Sequence, residues 1–228
     1  PYLSFLCINF DAPVVKEAAS WFLDGVFLNY NSSYLERMLE QLLDEAESPE
    51  VTRFLRAVDV RIDGFRVEKS PEWRGQRVFV RHEVDGKGYE LRLSEESAGT
   101  QKLIGLAAYL MTALERGSTV VVDELDAKLH PKLLRYVILL FKDPAVNKNG
   151  AQLIFSSQDV STMRNDVFRR DEIWFAARGE GEASQLWSLA DIHEANGNLV
   201  SKNAAFDKQY LSGRYGADPY LTRIEEWD

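Results

Sequence analysis

The spacing of apolar residues changes twice along the chain, and each change predicts a different kind of structure. In the first part, helical spacing predicts a helix from about Pro13 to Leu23 with a loop after it, a second helix over 33–47, and a short third helix over about Glu50–Val58. We therefore expect residues 1–58 to form a helical region.

From about residue 60 the apolar positions alternate with polar ones, which is the pattern of a half-buried strand. Val78 and Val80 lie on one such strand, Tyr89 and Leu91 lie on another, and the turn sequence DGKG separates them. Residues 59–93 are therefore predicted to form a small antiparallel β region whose charged face meets solvent.

After Ser94 a polar loop, SEESAGTQ, leads into helices that alternate with short apolar strands. This alternation is typical of an α/β fold with a parallel sheet, here over residues 100–160. The predicted elements are a helix over about Thr100–Arg116 that Gly117 ends, the strand TVVV, a helix from Pro131 to about Phe141, the buried strand QLIFSS (152–157), and a hairpin made of DEIWFAA (171–177) and SQLWSL (184–189).

Composition narrows the class of protein. The net charge of −9 argues against a broad nucleic-acid surface, which needs clustered Lys and Arg, but it leaves DNA or RNA binding by a local patch open. The single cysteine, Cys7, excludes an internal disulfide framework and is consistent with a reducing compartment. The longest apolar runs are too short for a membrane helix, and the first residues lack the features of a signal peptide. We therefore expect a cytoplasmic protein that has no membrane partner.

Two carboxylates, Asp123 and Glu124, follow the apolar strand directly. A parallel strand that ends this way places both acids at the carboxyl edge of its sheet, where ligands bind in open α/β folds. In a phosphate site one carboxylate can hold the shell of a Mg²⁺ ion, while the next orients or deprotonates a water. Because strands often end in acids at solvated turns, the pair alone is a weak signal.

The loop Ser97-Ala98-Gly99-Thr100 precedes a helix and offers a second candidate site. Free N–H groups and the dipole at a helix N-terminus attract anions, and glycine lets a phosphate approach the backbone closely. The competing interpretation is an ordinary helix cap by Ser97 or Thr100.

The order and spacing of these segments resemble the ABC-type ATPases, the class that includes SMC-like and OLD-like proteins. The segment SAGT is similar to the signature loop of that class, which is usually Ser-Gly-Gly-Gln, and VVVDE is similar to the Walker B strand. LDAKLHP is similar to the D-loop, and IFSSQD is similar to the switch strand, which normally ends in His. Ser94–Leu221 resembles more closely the AAA-family ATPases of bacterial abortive-infection systems, of the RloA type, through RRDEIWFAARGEG, LWSLADIH and YLSGRYGADPYL.

The resemblance implies a fold and a division of the chain. The fold would be α/β, an ABC-ATPase-like P-loop NTPase core in which helices flank a parallel sheet. Residues 94–228 would be the C-terminal half of the ATPase domain. Residues 1–58 would be a helical insertion or lid, and 59–93 would be the β part of this α+β insertion.

The resemblance also implies a role for each matching residue. Asp123 would hold Mg²⁺ through water, Glu124 would be the general base, and Gln158 would occupy the switch position. Asp126 would couple the two halves of a homodimer. The γ-phosphate of ATP bound by the partner subunit would meet the signature-like loop at Ser97 and Gly99. By this resemblance the nucleotide-binding residues would be Ser97, Ala98, Gly99, Thr100 and Asp126.

Two departures from the family pattern bear on activity. Gln158 stands where His is usual. A glutamine can hydrogen-bond a phosphate or a water, which is compatible with hydrolysis, but it cannot carry a proton, so fast hydrolysis is less expected. No G-x-x-x-x-G-K-[ST] phosphate-binding loop occurs in the 228 residues. We expect that loop in an upstream part of a longer chain or on a partner.

The sequence thus favours an ATP-hydrolysing subunit that dimerises on ATP and controls a separate effector, such as a nuclease, in phage defence. One alternative is a degenerate ATPase fold that serves as a scaffold or sensor without hydrolysis. Another is an SMC-like DNA-repair head, which would need long heptad arms. His130, in the LHP segment, is open to two interpretations, a helix-entry residue or a catalytic one.

Overall fold

The computed structural model describes residues 13–24, 26–29, 49–58, 62–69, 76–178, 183–194 and 197–217. The helix that the sequence predicts over 33–47 lies outside these residues. The chain divides into two compact units, one ending at Gln158 and the other beginning at Asp159. In chain order the elements are α1 (Pro13–Asp24), β1 (Val26–Asn29), α2 (Pro49–Ala57), β2 (Ile62–Lys69), β3 (Gln76–Val84), β4 (Lys87–Arg92), α3 (Ala98–Arg116), β5 (Thr119–Val122), α4 (Pro131–Lys142), β6 (Gln152–Phe155), β7 (Trp174–Arg178), β8 (Ser184–Ser188) and α5 (Phe206–Leu211).

A three-stranded parallel sheet organises the first unit, with β5 in the centre between β1 and β6. Val26 is paired with Thr119 on one side of β5, and Phe155 is paired with Val122 on the other. The sequence predicted a loop after the first helix, and that prediction was wrong for β1. Four residues carry too little periodicity to show a strand, and β1 is a strand because it pairs with the distant β5.

β6 corrects a second expectation. The sequence predicted a buried strand over 152–157, but the strand is four residues long and alternates between exposed and half-buried positions. The Ile154 side chain is 56% exposed. In the described sheet β6 is an edge strand that pairs with β5 alone.

α3 is the central helix of the first unit and packs between β5 and α2. Ser97 is its N-cap, and Gly117 ends it in the left-handed conformation at φ 72°. Nearly all of its middle is buried, as its apolar pattern predicts; the buried residues are Leu103, Ile104, Gly105, Leu106, Ala107, Ala108, Tyr109, Leu110, Thr112, Ala113 and Leu114. No described helix is long and apolar enough to cross a membrane.

β2, β3 and β4 form the antiparallel sheet that the alternating pattern predicts. Its apolar face buries Ile62 and Val80, and β2 packs on α2. On the charged face Arg66 binds Glu90, with Nη2 2.9 Å from Oε2, and stacks over the Phe79 ring at 4.1 Å. Because these groups are solvent-exposed, each contributes little to stability, and burial of the apolar face dominates.

The second unit has its own core beneath the β7–β8 hairpin. Phe175 stacks on Tyr210 with ring centroids 5.7 Å apart and lies 5.3 Å from the Tyr215 ring. The Tyr215 hydroxyl donates to Oε1 of Gln209 at 2.7 Å. Burial raises the pKa of Tyr215 to about 12, although Arg214 opposes the shift. The core residues are Ile173, Phe175, Leu189, Val200, Phe206 and Tyr215.

Candidate functional site

Residues of the candidate site follow neighbouring strands at one edge of the parallel sheet. Asp123 and Glu124 come directly after β5, and Ser156 follows β6. Since the two strands are parallel and adjacent, their carboxyl ends lie side by side. The carboxylates of Asp123 and Glu124 are both exposed there.

Ser156 joins the two acidic residues. The Glu124 N–H donates to its hydroxyl oxygen at 2.8 Å, and the hydroxyl donates to Oδ1 of Asp123 at 2.5 Å. The backbone of Leu125 adds a third bond, to the Ser156 carbonyl, at 3.0 Å. Sequence reasoning missed Ser156, although a hydroxyl that follows a strand beside two carboxylates was the signal available.

Glu124 itself adopts a left-handed conformation with φ 50°, which is uncommon for a residue other than glycine. Its carbonyl accepts from the Ala127 N–H at 3.0 Å and from the Lys102 ammonium at 2.6 Å. A role for Lys102 was also not predicted from the sequence. Desolvation by burial lowers the pKa of Lys102, while the charges of Asp126 and Glu124 oppose that shift.

Asp126 binds the backbone at the switch position. The Gln158 N–H lies 3.2 Å from Oδ2 and 3.3 Å from Oδ1 of the Asp126 carboxylate. The Gln158 side chain is exposed beside the acids. The structure thus brings the D-loop-like and switch-like segments together through Asp126.

The loop Ser97-Ala98-Gly99-Thr100 lies at the start of α3 and fulfils the capping role. The Thr100 N–H donates to the Ser97 hydroxyl at 3.1 Å, and the two hydroxyls lie 2.8 Å apart. A Cβ atom on Gly99 would come within 2.8 Å of the Lys128 carbonyl oxygen, so only glycine fits this approach. The cap does not use the amides of Ala98 and Gly99 at N1 and N2, where free N–H groups can meet an anion.

His130 is the N-cap of α4, and its Nδ1 accepts from the Lys132 N–H at 3.1 Å. Pro131 follows as the first helical residue, where a proline is favoured. Of the two interpretations that the sequence left open, these contacts support the helix-entry role.

A family described as "AAA domain, putative AbiEii toxin, Type IV TA system" matches residues 7–164. This match spans more than half of the chain and includes the Asp123–Glu124 pair and Ser156. The chain belongs to this AAA domain family. The AAA domain has the mixed α/β fold of P-loop NTPases, with its carboxylates at the edge of a parallel sheet, and its family is one of ATPases.

Two solved structures are similar to part of this chain. The first, titled "Structural biochemistry of ATP-driven dimerization and DNA stimulated activation of SMC ATPases", is 17% identical with a TM-score of 0.45, covering 68% of this chain and 88% of that chain. The second, titled "Crystal structure of the SmcHead bound to the C-winged helix domain of ScpA", is 15% identical with a TM-score of 0.44, covering 72% of this chain and 55% of that chain. Comparison with curated proteins finds no match.

An ATPase of this family implies nucleotide binding together with Mg²⁺, and the residues of the AAA domain fit that ion. Mg²⁺ usually keeps several waters and takes one or two carboxylates together with phosphate oxygens. Across the described parts of the chain no three His, Cys, Asp or Glu side chains form a metal site. The exposed Asp123 carboxylate is a ligand of the kind that Mg²⁺ takes.

Proposed function

We propose that the sheet edge formed by Asp123, Glu124, Asp126 and Gln158 is half of an ATP-hydrolysing site. The observation that carries this proposal is the hydrogen-bonded chain from Asp123 through Ser156 to Glu124, beside the Asp126–Gln158 contact. The residues proposed as general base, as ligand of the ion and as exposed amide side chain follow two adjacent strands at the same sheet edge. This constellation suits phosphoryl transfer to water.

In the proposed reaction the Glu124 carboxylate accepts a proton from water as the water oxygen bonds to the γ-phosphorus. The bond from that phosphorus to the bridging oxygen breaks, and ADP leaves with the electron pair. The Gln158 amide orients that water or the γ-phosphate by hydrogen bonds, as glutamine does in other nucleotide hydrolases. Asp123 would hold Mg²⁺ through water, and the ion would neutralise charge on the phosphates. Because Gln158 cannot take up a proton, we expect turnover to depend on Glu124 as the base.

We infer that the signature-like loop completes this site in a second copy of the chain. The N–H groups of Ala98 and Gly99, with the Ser97 hydroxyl, would meet the γ-phosphate of the nucleotide that the partner subunit holds. ATP binding and dimerisation would then be one event, and Asp126 would couple the halves. The proposal requires a phosphate-binding loop from outside these 228 residues, supplied by a longer form of this chain or by a partner. In the experiments below, the complete protein means this chain together with that loop.

The family description supports a further step. Its words name a toxin and a type IV toxin–antitoxin system. We therefore propose that the ATPase cycle controls a separate effector in phage defence, as in the RloA-type systems that the tail sequences resemble. The class of effector, including a nuclease, stays a prediction.

Ser97→Asp separates the capping role of Ser97 from its proposed phosphate contact. Aspartate caps helices as well as serine does, so the unfolding temperature should not change. A carboxylate would repel the γ-phosphate, so dimerisation of the complete protein by ATP and Mg²⁺ should be lost, as measured by sedimentation velocity. Ser184→Asp, on the exposed hairpin of the second unit, is the matched control.

Two outcomes would oppose this proposal. Dimerisation of the Ser97→Asp variant at the parental ATP concentration would show that the loop does not face the nucleotide. A parent protein that binds no ATP would favour the scaffold or sensor interpretation instead.

A further inference from the structure

We propose that Lys102 is a positioning residue that fixes the direction of the Glu124 side chain by holding the Glu124 main-chain carbonyl. The inference rests on the proposed function, because it concerns the base of the same site. Lys102 would act on the reaction through Glu124 and would not touch the nucleotide.

The first support is the backbone of Glu124. A left-handed φ of 50° is strained for a residue other than glycine, so the surroundings must hold it in place. The Ser156 hydroxyl binds its N–H, and the Lys102 ammonium binds its carbonyl. Fixing both peptide groups fixes the Cα–Cβ bond of Glu124, and with it the direction in which the side chain leaves the backbone.

The second support is the placement of the Lys102 ammonium. Lysine ammonium groups are strongly hydrated and normally reach into solvent, yet this side chain is half-buried and aims at a neutral carbonyl, at 2.6 Å. The charge is offset by Asp126 and Glu124, which oppose the burial that lowers its pKa. Such an arrangement costs desolvation free energy, which a surface lysine avoids by extending its ammonium group into solvent.

The third support is the position of Lys102 in the fold. It lies in the second turn of α3, two residues after the signature-like loop, and Gly99 of that loop approaches the Lys128 carbonyl. The start of α3 therefore contacts the segment after β5 at two points. A shift of this loop on binding the partner's phosphate would move the ammonium and, with it, the Glu124 backbone. Lys102 would thus connect the signature-like loop to the base.

The test is steady-state ATP hydrolysis by the complete protein with Lys102→Met. We expect kcat to fall about ten- to hundredfold, because a displaced catalytic group loses that much, while the ATP dissociation constant stays within error. Lys102→Arg, which keeps charge and donor, should recover most of the rate. Lys148→Met, at the opposite end of the parallel strands, removes the same charge and should leave the rate unchanged.

A double substitution with Glu124→Gln distinguishes positioning from mere stability. If Lys102 acts through the base, Lys102→Met should lower the residual rate of Glu124→Gln no further. Additive losses, a weakened ATP affinity or an unchanged kcat would each overturn the inference. If Lys102→Met does not fold, Lys102→Gln, a shorter neutral donor, takes its place with the same expected ordering of rates.

The outcomes also separate this inference from the proposed function. A normal rate for Glu124→Gln would mean that the proposed base is wrong and would remove the ground for Lys102 as well. A lost rate for Glu124→Gln beside a normal rate for Lys102→Met would refute the positioning role alone.

Discussion

Glu124→Gln is expected to reduce ATP turnover by about a hundredfold or more, because it removes the proposed general base. The substitution keeps the size of the side chain. It also keeps the contacts of Glu124 with Ser156 and Lys102, since both are made by the backbone. ATP binding should therefore persist, and the variant should accumulate as an ATP-bound dimer.

Phosphate release and sedimentation with ATP and Mg²⁺ measure the two consequences separately. Glu83→Gln, an exposed glutamate on β3, is the matched control and should behave as the parent does. Hydrolysis at the parental rate by Glu124→Gln would show that another group activates the water.

The largest effect on stability is expected at Gly117, where α3 ends. Its φ of 72° is strained for any other residue, and a Cβ atom would lie 2.4 Å from the Asn149 carbonyl oxygen. The Asn149 side chain also binds the helix end, with Nδ2 2.6 Å from the Glu115 carbonyl oxygen, so a displaced Asn149 loses that contact too. Gly117→Ala should therefore cost about 3 kcal/mol and lower the unfolding temperature by roughly 10 °C.

Gly150→Ala is a close control, because Gly150 has nearly the same φ of 73° and a Cβ atom added there would meet no other atom within 4 Å. It should show the conformational cost alone, about 1–2 kcal/mol. Equal unfolding temperatures for the two variants would mean that the approach of Asn149 contributes nothing.

Much of this fold follows from local patterns in the sequence. The helical stripe of α3 and the alternation in β3 each match an observed element with one buried side, because a continuous run of periodic residues reports which side is buried. The alternation in β4 matches an observed strand, but all six residues of that strand are exposed. β1 was missed because its pairing with β5 is long-range. The exposure of β6 was missed because an apolar run does not reveal which side of a strand is covered.

The candidate site likewise has residues that local patterns predict and contacts that they do not. Asp123 and Glu124 were visible because two acids end an apolar strand. The contacts that hold them come from elsewhere in the chain, from Ser156 after another strand and from Lys102 on a helix. Gly99 was expected to meet a phosphate, whereas the contact that demands a glycine there is the Lys128 carbonyl. These requirements exist only once the segments have packed.

The central claim, a site shared between two copies, is tested most directly by mixing two inactive variants of the complete protein. Ser97→Asp disables the signature-like loop and Glu124→Gln disables the base, so a mixed dimer holds one site in which both parts are intact. The account predicts that the mixture, combined before ATP is added, hydrolyses ATP faster than either variant alone. A rate no higher than the mean of the two separate variants would contradict it.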